Sequence, residues 1–341
     1  MLRLLGILLT VLAVIGAAVV TWPQFFRLER TYPIAQLVSM RGLLTLAFAA
    51  LLVVALLLCL ARPLRAFAAS IALVCLVAVA ANAGILLTRG VGTGVLPAKT
   101  ETAVRVMTWN TAGADPQVIA QTAVAMQADI VSLPETTIET GTAVAVAMRD
   151  MGHPMWAHHE SYADRAGYEP WAANSTSLLI SPDLGDYVVV ESSSDGTTNT
   201  STVPTVVAMP VSGEGPVVVA AHAVAPRVGH MAEWRGDLQW LSDQCAADDV
   251  IMAGDFNATV DNMARLGVDG GEFGRCSDVA AATGHGGVGT WSAEWPALIG
   301  TPIDHVMTTD AWEATGSVVV TALDDAGSDH RPLVVQLEPV G

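Results

Sequence analysis

Apolar and polar positions are distributed very differently along the two parts of this chain. Before residue 90, three stretches without any charge cover 4–22, 42–61 and 66–88. Each has roughly the ~20 apolar residues that a helix needs to cross a bilayer. A cleaved signal peptide would account for the first stretch only, and a buried helical hairpin is the alternative. The pattern predicts a membrane region over 1–88 with three transmembrane helices.

The pattern changes after this region. Residues 89–102, "RGVGTGVLPAKTET", are rich in Gly and Thr and are typical of a linker. From about residue 103, short apolar runs alternate with amphipathic segments. The runs predict strands at 103–109, 129–133, 175–181, 187–191, 202–210, 215–222, 249–254, 302–307, 316–323 and 332–337, and the amphipathic segments predict helices at 115–127, 142–151 and 230–244. Many strands and few helices indicate stacked sheets with outer helices in a domain spanning 103–341.

The charge of this second region restricts its partners. From residue 101 onward there are 32 Asp and Glu against 8 Arg and no Lys. A surface of this kind repels polyanions. It disfavours a long polynucleotide as the ligand and is compatible with a small or lipid-borne one.

The arginines around the apolar stretches bear on membrane orientation, because positive charge favours the cytoplasmic side. The two possible orientations place equal numbers of them inside: Arg3, Arg62 and Arg65, or Arg27, Arg30 and Arg41. The first set includes two arginines in a minimal loop, which favours an internal amino terminus. The domain after the third span is then expected outside the cell.

The cysteines leave one question open. Cys59 and Cys75 lie inside the predicted spans, where a cysteine is an ordinary apolar residue. Cys245 and Cys276 lie in the second region, and an extracellular location would permit a disulfide between them. The sequence does not decide whether they pair.

Polar residues capable of chemistry recur at the ends of the predicted strands. Each of them alone is an ordinary turn or loop residue, but their joint occurrence at six strand edges indicates a shared site. They are Asn110, Glu135, His222, Asp255, Asn257, Asp304, Asp329 and His330.

The first group in this set has metal-binding character. Glu135 and Asp329 offer hard oxygen donors suited to Mg²⁺ or Mn²⁺. Asn110 can add an amide oxygen or hold a water molecule next to the metal. We therefore predict a metal site formed by these three residues.

The other five residues suit proton transfer and charge stabilisation. Asp255 can accept a proton from water or orient it. Asn257 and His222 can donate to a phosphoryl oxygen as its charge grows, and Asp304 can orient and charge His330. Together with the predicted metal, this set describes metal-assisted hydrolysis of a phosphoester.

Six motifs, taken in order, resemble those of the endonuclease/exonuclease/phosphatase superfamily, which has the fold of deoxyribonuclease I. They are "VMTWN", "DIVSLPE", "VVVAAH", "MAGDFN", "PIDHVM" and "GSDHRPL", and they cover about 103–338. The resemblance implies an α/β four-layer sandwich, with two mixed β-sheets face to face and helices on both outer faces. It also implies a hydrolase, usually dependent on Mg²⁺, that cleaves phosphodiesters or phosphomonoesters of nucleic acids, inositol phosphates or lipids.

The resemblance assigns roles to the same eight residues, and it has two departures. The family often has Gln before its metal-binding Glu, where this chain has Pro134. The carboxylate that supports the first catalytic histidine in some members has only weak candidates here, Glu160 and Glu169. The membrane region is an addition to the family pattern.

Three functions remain open from the sequence. The first is a membrane-anchored, metal-dependent phosphoesterase; the second is a nuclease; and the third is an inactive binding module on a membrane anchor. Substrate choice is expected in the loops 152–174 and 261–300. In the second loop, Trp291 and Trp295 are candidates for stacking on a base or sugar or, alternatively, for packing.

Overall fold

The computed structural model describes residues 2–92, 95–162, 172–190 and 199–340. Its amino-terminal part contains three long apolar helices whose windows have mean hydropathies of 2.7, 2.4 and 2.4, each long enough to cross a membrane. They are α1 (Leu2–Thr21), α4 (Arg41–Leu58) and α5 (Arg65–Arg89), with two short helices, α2 (Pro23–Phe26) and α3 (Ile34–Ser39), between the first two. α4 and α5 pack together as a hairpin, and α1 packs against α5.

Four of the five helices of the second region, all except α8, begin with a side-chain cap that their sequence favours. Asp115 accepts a hydrogen bond from the backbone N–H of Gln117 at 2.7 Å, and Pro116 occupies the first helical position. These helices are α6 (Pro116–Ala125), α7 (Ile138–Asp150), α8 (Met231–Gln244), α9 (Val260–Met263) and α10 (Val279–Ala282).

Two mixed sheets of six strands each form the centre of this region. The first has the order β13-β14-β1-β2-β4-β3, the second the order β11-β12-β8-β7-β6-β5, and β9 and β10 form a small separate pair. The strands are β1 (Val104–Thr108), β2 (Ile130–Pro134), β3 (Trp156–Ser161), β4 (Ser175–Ile180), β5 (Tyr187–Val189), β6 (Val206–Pro210), β7 (Val217–His222), β8 (Val250–Asp255), β9 (Leu266–Gly267), β10 (Phe273–Gly274), β11 (Ser277–Asp278), β12 (Asp304–Thr308), β13 (Trp312–Val319) and β14 (Leu333–Pro339).

Three apolar clusters show how the layers are stacked. The cluster between the two sheets includes Val106, Ile130 and Val218. A second packs α6 and α7 on the outer face of the first sheet, and a third packs α8 on the outer face of the second. The arrangement is the four-layer α/β sandwich that the sequence predicts.

Strand register brings polar residues of the second sheet into one row. His222 on β7 pairs in register with Asp255 on the parallel strand β8, and Asp255 pairs with Asp304 on the antiparallel strand β12. In the first sheet, the parallel pair β1 and β2 aligns Thr108 with Ser132, so that Asn110 and Glu135 follow at the same edge. Both sheets therefore present their predicted site residues at one end of the sandwich.

A buried cluster joins the long apolar helices to this sandwich. Asp261 at the second position of α9 is 2% exposed and accepts five hydrogen bonds of 2.6–2.8 Å from three side chains. The donors are Gln24, Arg41 and Arg89, and we call these four residues the Asp261 cluster. Arg41 begins α4, Arg89 ends α5, and Gln24 lies in α2, three residues after α1 ends at Thr21. The ends of the three long helices that face the sandwich are thus held at one point.

The polar residue inside the third predicted span belongs to the same junction. Asn82 is fully buried, donates to Thr21 Oγ1 at 3.1 Å, and accepts from Arg41 at 2.7 Å. It thus faces other helices of the bundle, where a polar side chain can be satisfied.

The structure departs from the predicted elements in several places. The sequence interpretation did not include the short helices α9 and α10 or the two-residue strands β9, β10 and β11, and β13 spans Trp312–Val319 instead of the predicted 316–323. β3 was not expected, because "WAHHES" lacks a buried apolar alternation; it is an edge strand that pairs only with β4. The short helices α2 and α3 were not expected either. Cys245 and Cys276, left undecided by the sequence, form a disulfide that joins α8 to the region before β11.

Candidate active site

Asp255 and Asn257 occupy a tight turn at the end of β8. Asn257 has a positive φ of 47°, and its backbone N–H donates to Asp255 Oδ1 at 2.8 Å. Its side-chain amide donates to the carbonyl of Ala223 at 2.9 Å, which ties the turn to the end of β7. The strands approach closely here, since a Cβ on Gly254 would lie 1.9 Å from the carbonyl oxygen of Ala221. "MAGDFN" is therefore both a turn and the presentation of polar groups.

Asn110 links the two sheets across the site. Its side-chain nitrogen donates to Glu135 Oε1 at 3.0 Å and to Asp255 Oδ2 at 3.1 Å. Glu135 follows β2 with a positive φ of 56°, and its side chain is 27% exposed, whereas Asp255 is buried. One amide thus holds a carboxylate from each sheet at a fixed separation.

His330 and Asp304 form a buried hydrogen-bonded pair. His330 Nδ1 lies 2.8 Å from Asp304 Oδ2, while Nε2 lies 3.8 Å from Asp255 Oδ2 and 4.0 Å from Asp329 Oδ1. Trp109 donates to the carbonyl of His330 at 2.9 Å and fixes the backbone from the β1 side. The Nε2 nitrogen of His330 is therefore directed at the carboxylates of Asp255 and Asp329.

His222 lies beside Glu135, with 3.9 Å between Nε2 and Glu135 Oε1. Burial, followed by the positive charge of His330, lowers the pKa of His222 to about 3, so its imidazole is neutral at physiological pH. Its Nδ1 is buried and has no hydrogen-bond partner among the described residues. Glu160 therefore does not support this ring, and Glu169 lies outside the described residues.

The pKa values of Asp255 and His330 are shifted by each other and by Asp304. Burial and the charge of Asp304 raise the pKa of Asp255, although His330 opposes this effect. Burial lowers the pKa of His330, but the carboxylates of Asp304 and Asp255 outweigh it and raise the pKa above its usual range. The site thus combines a cationic imidazole with a carboxylate that is a stronger base than usual.

Asp329 is held from a neighbouring loop. Its Oδ2 accepts a hydrogen bond from Trp291 Nε1 at 2.8 Å, and its side chain is 56% exposed. Trp291 thus orients a candidate metal ligand, a role that differs from the stacking or packing expected of it.

Arg331 was missed by the sequence interpretation. It is fully buried, and its guanidinium donates to the carbonyls of Gly289, Ser292, Ala293 and Trp295 at 2.6–3.2 Å. Arg331 directly follows His330, so it fixes the 291–301 loop relative to that histidine. The arginine in "SDHRP" was the available signal.

These residues surround one cleft of about 430 Å³. Asp255, Asn257, Glu135, Asp329 and His330 line it. The other three predicted residues lie directly behind and contact the first set: Asn110, His222 and Asp304. The structure thus brings all eight together.

The donor chemistry of the cleft fits a hard divalent cation. Glu135, Asp255 and Asp329 supply carboxylate oxygens, the donors that Mg²⁺ and Mn²⁺ prefer. Side-chain atoms of Asp255, Asp304 and His330 also lie within 4.8 Å of one another, but a protonated His330 has no free nitrogen to offer a metal. Asn110 directs its amide nitrogen, not its oxygen, at Glu135 and Asp255, an orientation that suits holding these carboxylates in place.

The family model described as "Endonuclease/Exonuclease/phosphatase family" matches residues 107–330, about two thirds of the chain. The chain belongs to this family. Its members are hydrolases that act on phosphoester bonds and generally use a divalent metal. Among curated proteins, no sequence matches the chain.

Solved structures agree with the family fold. An endonuclease/exonuclease/phosphatase from Beutenbergia cavernae has a TM-score of 0.51 and 20% identity, with 71% of this chain and 72% of that chain covered. A family protein from Leptotrichia buccalis has a TM-score of 0.50 and 13% identity, with 69% and 99% covered. A D. rerio TDP2, humanized by 14 mutations, has a TM-score of 0.50 and 14% identity, with 70% and 100% covered. At these identities the similarity concerns the fold alone.

Proposed function

We propose that this chain is a membrane-anchored, Mg²⁺-dependent phosphoesterase that hydrolyses a phosphomonoester or phosphodiester by attack of water. The observation that carries the proposal is the meeting of both sheets in one cleft. The side-chain nitrogen of Asn110 lies 3.0 Å from Glu135 Oε1 and 3.1 Å from Asp255 Oδ2. Beside these carboxylates, His330 Nδ1 lies 2.8 Å from Asp304 Oδ2.

Glu135 and Asp329 are the proposed metal ligands, with Asn110 holding Glu135 in place. Glu135 is partly exposed in the cleft, and Asp329 is oriented by Trp291. When bound, Mg²⁺ or Mn²⁺ would offset the negative charge that develops on the phosphoryl group.

The protein's own residues would move the protons. A water oxygen forms a bond to phosphorus while the bond from phosphorus to the ester oxygen breaks. Asp255, with its raised pKa, takes the proton of the attacking water. His330, kept protonated by Asp304, supplies the proton that the leaving oxygen needs. Asn257 and neutral His222 donate hydrogen bonds to phosphoryl oxygens.

The charge of the domain favours a small or lipid-borne substrate over a polynucleotide. Arg227 is the one arginine that lines the cleft in the described part of the chain. A backbone-binding nuclease uses several such residues, so a nuclease is the second candidate. An inactive binding module is disfavoured because every main site residue is present.

We further propose that the amino terminus lies inside the cell and the catalytic domain outside. Arg41 and Arg89 lie at the end of the helical bundle next to the domain, where both pair with Asp261. These ion pairs account for the two positive charges on that side, so the charges do not argue for a cytoplasmic location of the domain. The Cys245–Cys276 disulfide is typical of an oxidising compartment. Protease added to intact cells should digest the domain, and full protection with the membrane intact would contradict this orientation.

The activity can be tested on the purified full-length protein in detergent. With Mg²⁺, it should hydrolyse bis(p-nitrophenyl) phosphate or p-nitrophenyl phosphate, and a chelator should abolish the reaction. Asp255→Asn should lower kcat by about 10²–10⁴-fold, while Asp150→Asn, on the exposed end of α7, is the matched control. Equal rates for the wild type and Asp255→Asn would contradict the proposal.

A further inference from the structure

The segment between the first two membrane helices, residues 23–40, forms part of the catalytic cleft. Gln36, Ser39 and Met40 line the same cleft as Asp255 and His330. Gln36 Nε2 donates to the carbonyl of Pro226 and lies 3.4 Å from the sulfur of Met231. We call residues 34–40 the cleft wall.

The cleft wall is attached to the loop that carries the catalytic residues. Asn262 is fully buried, and its side chain donates to the carbonyls of Glu29 at 2.8 Å and Ala35 at 3.2 Å. Ser39 in turn donates to Asn262 Oδ1 at 2.8 Å. Asn262 lies five residues after Asn257, so the wall and the catalytic turn are held by one short stretch of chain.

The cleft also lies at the level where the apolar helices end. Met40 of the wall is followed directly by Arg41, the first residue of α4. A Cβ on Gly42 would lie 2.2 Å from the carbonyl oxygen of Leu298, so the 291–301 loop contacts the first turn of this candidate span. If α4 crosses the bilayer, the mouth of the cleft is at its surface.

Large apolar side chains are exposed at this same level. Trp295 is 43% and Leu298 53% exposed on the 291–301 loop, while Trp22 and Phe25 are 47% and 83% exposed beside the end of α1. Single exposed apolar residues are common, but Trp22 and Phe25 directly follow the end of α1, and Leu298 contacts the first turn of α4. Trp295 lies three residues before Leu298 on the same loop. Aromatic residues at such positions are typical of the membrane–water interface.

We propose that the cleft takes the phosphoester of a membrane lipid, presented by the same bilayer that holds the chain. The phosphate lies among Asp255, His330 and the proposed metal ligands, and the lipid chains leave the cleft past Trp295 and Leu298. Gln36 contacts the headgroup from the cleft wall and is a specificity-determining residue. This inference rests on the proposed phosphoesterase function.

The test compares lipids with water-soluble molecules of the same headgroup. Full-length protein in phosphatidylcholine nanodiscs is assayed on phosphatidylinositol phosphates, sphingomyelin and phosphatidic acid, each paired with its soluble counterpart: inositol phosphates, glycerophosphocholine and glycerol phosphate. We expect at least one lipid to exceed its counterpart about 100-fold in kcat/KM, because the shared bilayer raises the effective substrate concentration and the rim contacts the chains. Pairs that all lie within about threefold would overturn the inference.

Two variants examine the residues that the inference names. Gln36→Leu and Trp295→Ser should each lower the ratio of lipid to soluble kcat/KM by about tenfold, which corresponds to one hydrogen bond or one apolar contact with the substrate. The matched controls are Gln121→Leu and Trp156→Ser. Gln121 is exposed on α6, and Trp156 is 57% exposed on the edge strand β3. Ratios for Gln36→Leu and Trp295→Ser that equal those of the controls would overturn the assignment.

A soluble aryl ester separates the two levels of the proposal. If bis(p-nitrophenyl) phosphate is hydrolysed with Mg²⁺ but no lipid is preferred, the lipid inference fails and the phosphoesterase function stands. If neither this ester nor any lipid is hydrolysed by protein with a cooperative melting transition, the function itself fails and the inference fails with it.

Discussion

Replacing Asp261 by asparagine should show how firmly the amino-terminal apolar helices are docked to the catalytic domain. Asp261 and Arg41 are 2% and 3% exposed, and the Arg89 side chain is 20% exposed. The substitution keeps the shape but leaves two guanidinium groups without a counter-charge. Removing one partner of a buried ion pair costs about 3–5 kcal/mol. We expect the lower end of this range, because water can still reach Arg89.

Thermal unfolding of the full-length protein in detergent, followed by tryptophan fluorescence, measures the effect. A loss of about 3 kcal/mol in a domain of this size lowers Tm by roughly 6–12 °C. Asp150→Asn is the control, because the Arg149–Asp150 pair is 64% and 68% exposed. An exposed pair of this kind contributes at most about 1 kcal/mol. Equal Tm values for the two variants would refute the docking role of Asp261.

The pH dependence of this difference provides a second check. Burial raises the pKa of Asp261, but the hydrogen bonds and charges of Arg89 and Arg41 outweigh it and lower the pKa below its usual range. A depressed folded-state pKa gives stability that is present above the unfolded pKa and is lost only as the pH falls through the folded value. The Tm difference between the wild type and Asp261→Asn should therefore stay constant from about pH 8 to pH 5. A difference that disappears within this range would contradict the ion-pair assignment.

Three further outcomes are expected. His222→Ala and His330→Ala should each lower kcat by about 10²–10⁴-fold with little change in Tm. The loss of kcat in the double variant should be smaller than the product of the two single losses, because groups that act as a unit are not additive. A normal kcat with a lowered Tm would indicate purely structural histidines. Glu135→Ala should raise the Mg²⁺ concentration needed for half-maximal activity, and an unchanged metal titration would remove Glu135 from the metal site. Replacing Cys245 and Cys276 together by serine should lower the stability by roughly 2–4 kcal/mol, measured by chemical denaturation under non-reducing conditions; an unchanged midpoint would show that the disulfide adds nothing.

Much of the catalytic domain could be predicted from the sequence, because its strands are short apolar runs with chemistry at their ends. The run before His222 and the run before Asp255 were both predicted as strands, and they pair in parallel with these two residues in register. The shared location of the site residues follows from this topology, since strand ends at one edge of a sheet meet there. The pairing of Asp304 with His330 was likewise expected from their residue types.

The contribution of the amino-terminal helical region to the site could not be predicted. Gln36 contacts Pro226 across 190 positions of sequence, and no local pattern specifies such a contact. Asp261 follows "GDFNAT" in a stretch typical of a solvated turn, yet it is buried by two arginines from different helices. The loop 261–300 was expected to set substrate choice, with Trp291 and Trp295 stacking or packing. In the structure its first residues hold the apolar helices, and Trp291 holds Asp329.

The most direct test of the central claim is hydrolysis in ¹⁸O-labelled water, with the full-length protein, Mg²⁺ and the best phosphoester substrate found. Attack of water on phosphorus predicts one ¹⁸O atom per molecule of phosphate product and none in the released alcohol, by mass spectrometry. It also predicts that Asp255→Asn forms this labelled product about 10²–10⁴-fold more slowly. Label in the alcohol, or labelled phosphate formed by Asp255→Asn at the wild-type rate, would contradict the account.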